Sequence, residues 1–209
     1  MADRNHETRP AVERAGNWGD AGGLPVRERP LAPAPGVRPE TLLGGQYRRA
    51  LQGAHDWLRR ELDQIRTVAG QVAAGQLAAA DARALINEFA LTRHQWNLAE
   101  FCTTYCRILE SHHLREDREM FAAVLDVEPG LGDVVARLSA EHQVIAGVID
   151  RLDRVLVDII RELQEPRALG NALAGLTALT TELGDLLLSH LAYEEDELHH
   201  GLGRLELPL

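Results

Sequence analysis

Four stretches of this chain space their apolar residues alternately three and four apart, a pattern that fits a helix with one face turned toward other helices. The first stretch sets Tyr47, Leu51, His55, Leu58, Leu62 and Ile65 on one stripe. The second carries Leu98, Cys102, Tyr105, Leu109, His112, Glu116 and Met120. The third runs through Leu131, Val135, Leu138, His142, Ile145, Ile149, Leu152 and Leu156. The fourth runs through Leu169, Leu173, Leu176, Leu183, Leu187, His190, Glu194 and Leu198. The breaks Val127-Glu128-Pro129-Gly130 and Gln164-Glu165-Pro166 are short, and short connections between long helices favour antiparallel neighbours. The pattern predicts an all-α protein, an up-down-up-down antiparallel four-helix bundle. Between the first two stripes, the Ala-rich residues 66–97 either extend the second helix upstream or form a short extra helix. No strand pattern interrupts the series.

Residues 1–40 differ in character. They hold most of the prolines and show no hydrophobic period, so they read as a disordered or extended N-terminal arm, leaving 41–209 for the bundle. The acids and arginines of the arm cancel, which argues against a basic nucleic-acid arm. Over the whole chain 32 acids face 22 bases, every base is Arg, and the net charge is −10. Such a balance repels phosphate, so neither nucleic acid nor an anionic membrane is an expected partner. No apolar run approaches the roughly 20 residues of a spanning helix, and the first residues lack a secretory pattern; a cytoplasmic location is the expectation. Cys102 and Cys106, one helical turn apart, argue against a disulfide clamp. Cys102 reads as a small buried hydrophobe, and nothing near Cys106 predicts a lowered thiol pKa.

The polar members of the stripes carry the functional argument. His55, His112, Glu116, His142, His190 and Glu194 occupy positions that otherwise take Leu or Ile. One inward imidazole is unremarkable once hydrogen-bonded. Several imidazoles and a pair of carboxylates in one core need a counter-charge, since each buried carboxylate costs on the order of several kcal/mol. No stripe supplies an Arg, whereas a metal would answer. His112-x-x-x-Glu116 and His190-x-x-x-Glu194 each put an imidazole and a carboxylate on one helix face. His55 and His142 each stand alone on the preceding helix. The unit repeats, and two copies would give each of two metals two imidazoles with the carboxylates between them. Imidazole and carboxylate donors with vacant positions suit iron or manganese better than a Cys-rich zinc site. His113, beside the seam, reads as supporting or surface; His199 and His200 read as exposed, and His6 and His94 as solvated. A rival pattern, Glu110-x-x-His113 with Glu197-x-x-His200, matches the spacing of ferritin-like di-iron sites but lies off the stripes. Tyr105 and Tyr193 either fill the core or hydrogen-bond to the cluster.

The runs AHDWLRREL at 54–62, SHHLREDREMF at 111–121, EH at 141–142 and SHLAYEEDEL at 189–198 resemble hemerythrin-like proteins of the HHE cation-binding type. The resemblance covers roughly residues 45–200. It implies a four-helix bundle with a non-haem di-iron centre, the two irons joined by an oxo, hydroxo or water bridge. His55, His112, Glu116, His142, His190 and Glu194 match the ligand positions. Oxygen-carrying hemerythrins have a second histidine on the third helix, four residues from the first; here Leu138 and Ala146 stand at those places. That departure implies a more symmetric centre and weighs against reversible oxygen carriage. The expected function is binding of, or reaction with, a small ligand (dioxygen, peroxide or nitric oxide) as sensor or scavenger. The alternatives are a peroxide-decomposing, catalase-like or oxidase enzyme at the same centre, with Tyr105 or Tyr193 as its acid, and an iron- or oxygen-responsive interaction protein using the 1–40 arm.

Overall fold

The computed structural model describes residues 25–34, 36, 38–73, 98–161 and 166–206. Among these every regular element is helical. A single 3-10 turn, Val26–Glu28, precedes α1 (Leu42–Ala73). Then come α2 (Leu98–Arg115), a π-helical turn (Glu116–Met120) and α3 (Phe121–Val127), which follow one another without a break in helical backbone. A 3-10 turn, Pro129–Leu131, leads into α4 (Gly132–Arg161). The chain ends its described part with α5 (Pro166–Glu197) and the short α6 (His199–Gly203). The extra helix expected within 66–97 falls, past Ala73, outside the described residues, as do His6 and His94 and the side chains of Leu98, Cys102 and Leu169.

Local chemistry accounts for the helix ends. Thr41 caps α1, its hydroxyl oxygen accepting the Gly44 N–H at 2.8 Å while donating to the Leu205 carbonyl at 2.5 Å. Pro166 opens α5, where a missing N–H costs nothing. Glu128, with φ −141°, breaks the run before Pro129, as the sequence anticipates. The start of α1 lies against α6 at backbone contact: the Thr41 N–H donates to the Gly203 carbonyl at 2.8 Å, and a Cβ on Gly44 would stand 2.2 Å from that oxygen. Only glycine fits there.

Pairs along the long helices run in opposite senses. His55 meets Glu195, Arg66 meets Asp185, and the Thr177 hydroxyl donates to the Ala69 carbonyl, so α1 and α5 oppose each other. His142 with His190 and Arg151 with Glu182 give α4 and α5 the same relation. His55 with His112 and Leu58 with Tyr105 do so for α1 and α2.

The apolar core comes in two blocks. One gathers Leu58, Leu62, Tyr105, Leu109, Ile145, Leu152, Leu183 and Leu187. The other gathers Leu51, Met120, Phe121, Val124, Leu138, Leu198 and Leu202. Burial of each such side chain contributes about 1.5–3 kcal/mol. The inward histidines and glutamates fall between the blocks on every helix: His55 between Leu51 and Leu58, His142 between Leu138 and Ile145, His190 and Glu194 between Leu187 and Leu198. The fold therefore clamps a polar layer between two dry ones. No helix among the described residues is long and apolar enough to cross a membrane.

Residues 25–34 and 36, part of the arm read from the sequence, pack against the bundle. Tyr193 donates its hydroxyl to the Pro30 carbonyl at 2.7 Å, and the Ala32 N–H donates to Glu197 at 2.6 Å. Arg204, itself buried, pairs with Glu128 and donates to the Gly36 carbonyl at 2.8 Å.

Candidate metal centre

The structure brings His55, His112, Glu116, His142, His190 and Glu194 together in the polar layer. His55, His190 and Glu194 are wholly buried, Glu116 and His142 nearly so, and the His112 side chain keeps 16% exposure. Two donor sets result: His55, His112 and Glu116 on one side, and His113, His142 and His190 on the other. His113, expected beside the seam or at the surface, is 5% exposed and stacks on His142 at 4.1 Å between ring centroids. Successive residues of a helix point about 100° apart. His112 therefore turns toward His55 on α1 while His113 turns toward α4 and α5. The π turn begins at Glu116 itself, and such turns within α-helices are frequent at functional sites. The third imidazole that Ala146 fails to provide from α4 is thus available from α2.

The carboxylates lie between the sets. Glu116 directs Oε1 toward His112 Nε2 (2.9 Å) and His55 Nε2 (3.7 Å), and Oε2 toward His142 Nε2 (3.6 Å). Glu194 Oε2 lies 3.4 Å from His55 Nε2 and 3.9 Å from His190 Nε2. Both oxygens of Glu116 and of Glu194, with Nε2 of His55, His112 and His113, are buried and lack a hydrogen-bond partner. Ligand atoms about 2.0–2.2 Å from a shared ion are themselves about 3–4 Å apart. The separations fit that arrangement, and this donor chemistry suits a first-row cation.

Behind the rings stand further carboxylates. His55 Nδ1 is 2.8 Å from Glu195, which also holds Arg59. His142 Nδ1 is 3.1 Å from Asp117, which accepts from the Ser139 hydroxyl. His190 Nδ1 is 3.1 Å from Glu141. An acid hydrogen-bonded behind the ring, as at His55 and His190, keeps the proton on Nδ1 and aims the Nε2 lone pair inward, whereas His142 Nδ1 lies near Asp117 without a hydrogen bond. Sequence reading did not single out Glu141 or Glu195; their signal is an acid one residue away from a stripe position.

Electrostatics follow from the same contacts. Burial, then the neighbouring His142 and His190, holds His113 well below the ordinary histidine range, and burial takes His190 down to about 4 despite Glu141. Both are neutral imidazoles at physiological pH, the ligating form. Burial opposes the charge on Glu116, but contacts from His112 and His55 outweigh it and lower its pKa. Glu194 is raised well above the usual carboxylate range by burial and then by Glu116. Glu141 sits at about 2: burial pushes it up, and His190, Arg29 and Arg137 together pull it further down.

The remaining candidates lie elsewhere. Tyr105 donates to the Leu58 carbonyl at 3.1 Å and Tyr193 to that of Pro30, so both phenols are engaged away from the carboxylate pair. The Glu-x-x-His pairs of the rival pattern do not converge: Glu110 and His200 are exposed, and Glu197 holds the Ala32 N–H. His199 is half-buried against Arg48. A cavity of about 190 Å³ opens on His112 and Glu116, walled by Tyr47, Leu51, Ala54 and Met120, with Arg115 and Glu119 beside it.

Compared with known protein families, residues 48–201 match the model of the Hemerythrin HHE cation binding domain. No curated protein and no solved structure matches the chain.

Proposed function

This chain belongs to the hemerythrin HHE cation-binding family, and we propose that it holds two iron ions and binds or reacts with a small ligand (dioxygen, peroxide or nitric oxide) as sensor or scavenger. The opposed senses of neighbouring helices support an up-down-up-down antiparallel four-helix bundle as its frame. The observation that carries the reading is the pair of donor sets with Glu116 and Glu194 lying between them.

His55, His112 and Glu116 would hold one ion, and His113, His142 and His190 the other, with Glu116 and Glu194 offered to both. Bound iron supplies vacant coordination positions and a change of oxidation state. The chain's own part is placement. Glu195 and Glu141 fix the His55 and His190 rings from behind, and Asp117 lies beside that of His142. The two apolar blocks keep bulk water from the layer, which raises the strength of every charge interaction within it. The cavity beside His112 gives a small ligand a way in on that side, while His113, His142 and His190 are buried.

A catalase-like or oxidase enzyme needs a proton donor at the centre. Tyr105 and Tyr193 are turned to backbone carbonyls, which favours ligand binding over that alternative. The test is optical. Metal-free chain given ferrous iron without oxygen is expected to change its absorption on exposure to air and, separately, to nitric oxide. An iron-loaded chain whose spectrum ignores both overturns the reading, and steady-state peroxide turnover above that of free iron moves the assignment to the enzyme.

A further inference from the structure

Arg29 comes from the segment ahead of the bundle, and its side chain reaches Glu141, Ser189 and Tyr193, all more than a hundred residues away. Its Nε and Nη2 donate to the two oxygens of Glu141, each at 2.8 Å, and its Nη1 donates to the Ser189 carbonyl at 3.1 Å and hydroxyl at 3.0 Å. The guanidinium lies 4.6 Å over the Tyr193 ring. Ser189 and Tyr193 immediately precede His190 and Glu194. Glu141, wholly buried, meets His190 Nδ1 and accepts from Arg137 Nε at 2.7 Å. Arg137 in turn donates to the Pro25 carbonyl at 3.2 Å, so the acid behind His190 and the segment are fastened to each other at more than one point.

We propose that residues 25–32 form a strap belonging to the metal centre, in which Arg29 is a positioning residue that fixes Glu141 and, through it, the His190 ring. The inference rests on the metal reading above. A two-pronged Arg–carboxylate pair sets the plane of the carboxylate as well as its place, which Lys cannot do. Without Arg29 the Glu141 carboxylate keeps Arg137 but loses the contact that holds its second oxygen toward His190. Loss of the partner directly behind a ligand costs about 10–100-fold in metal affinity, and Arg29 acts one contact further out, through Glu141. Coupling is reciprocal, so bound metal must hold the strap down by the same factor that the strap tightens the metal.

The experiment uses the full chain, as wild type, Arg29→Met and Arg29→Lys, each shown to be folded by its helical circular dichroism. Ferrous iron affinity is read by chelator competition without oxygen. Strap release is read as protease cleavage after Arg27 and Leu31, both exposed. The expected result is an affinity loss of about tenfold or more in Arg29→Met, a smaller loss in Arg29→Lys, and slower strap cleavage in wild type once iron is added. Arg29→Met binding iron as wild type does, with strap cleavage indifferent to iron, overturns the strap and leaves the metal reading standing. Wild type that takes up no iron overturns both.

Discussion

The Nε2 atoms of His142 and His190 face each other at 3.1 Å, although each ring has a carboxylate against its Nδ1. The contact is a hydrogen bond when one Nε2 carries the proton, and it sets lone pair against lone pair when both rings carry it on Nδ1. A cation between them relieves it, and the same holds for the carboxylate oxygens of Glu116 and Glu194, buried without a hydrogen-bond partner. The polar layer is an arrangement that a protein core tolerates poorly and a bound cation relieves.

Glu194 gives the first expectation. Wholly buried beside Glu116, it burdens the metal-free chain. Burying such a group without a hydrogen bond or counter-charge costs free energy that an apolar side chain of similar volume does not. Glu194→Met is therefore expected to leave the metal-free chain at least as resistant to urea as wild type, while the stabilisation that ferrous iron confers on wild type disappears. A markedly less stable metal-free variant contradicts this.

His113 and His200 separate the present site from the ferritin-like alternative. His113→Ala is expected to lose the ion shared with His142 and His190, and His112→Ala the ion shared with His55. His200, exposed at the start of α6, is expected to be dispensable. Metal analysis of the purified variants checks all of these together, and iron lost with His200→Ala contradicts the assignment.

Cys106 offers a check on the core away from the metal. Burial, then Glu110 and Asp153, pushes its thiol up to about 12 from 9.0. Near pH 8 its thiolate population falls about a thousandfold below that of an ordinary thiol. In a Cys102→Ser chain, alkylation of Cys106 is expected to be negligible until the protein is unfolded, as followed by mass. Rapid labelling of the folded chain contradicts the burial of this face.

Much of this was legible because helix faces repeat. His55, His142, His190 and Glu194 each replace an aliphatic residue at a helical spacing, and that substitution alone marked them. His113 was hidden by the same rule. A single stripe admits His112 or His113, yet a helix lying between two neighbours buries both, one toward α1 and one toward α4 and α5. Glu141 was hidden in the same way beside His142. The packing of residues 25–34 was beyond periodicity altogether: Arg29, Pro30 and Ala32 find their partners on α4 and α5, and no local pattern announces a contact across so much chain.

Metal content after loading tests the central claim most directly. The full chain, stripped of metal, is given ferrous iron without oxygen, freed of excess by gel filtration and analysed for iron and zinc. About two iron ions per chain are expected, held by imidazole and carboxylate donors of the kind that favour iron over a closed zinc site. A chain that retains no iron, or that takes a single zinc ion in preference, contradicts it.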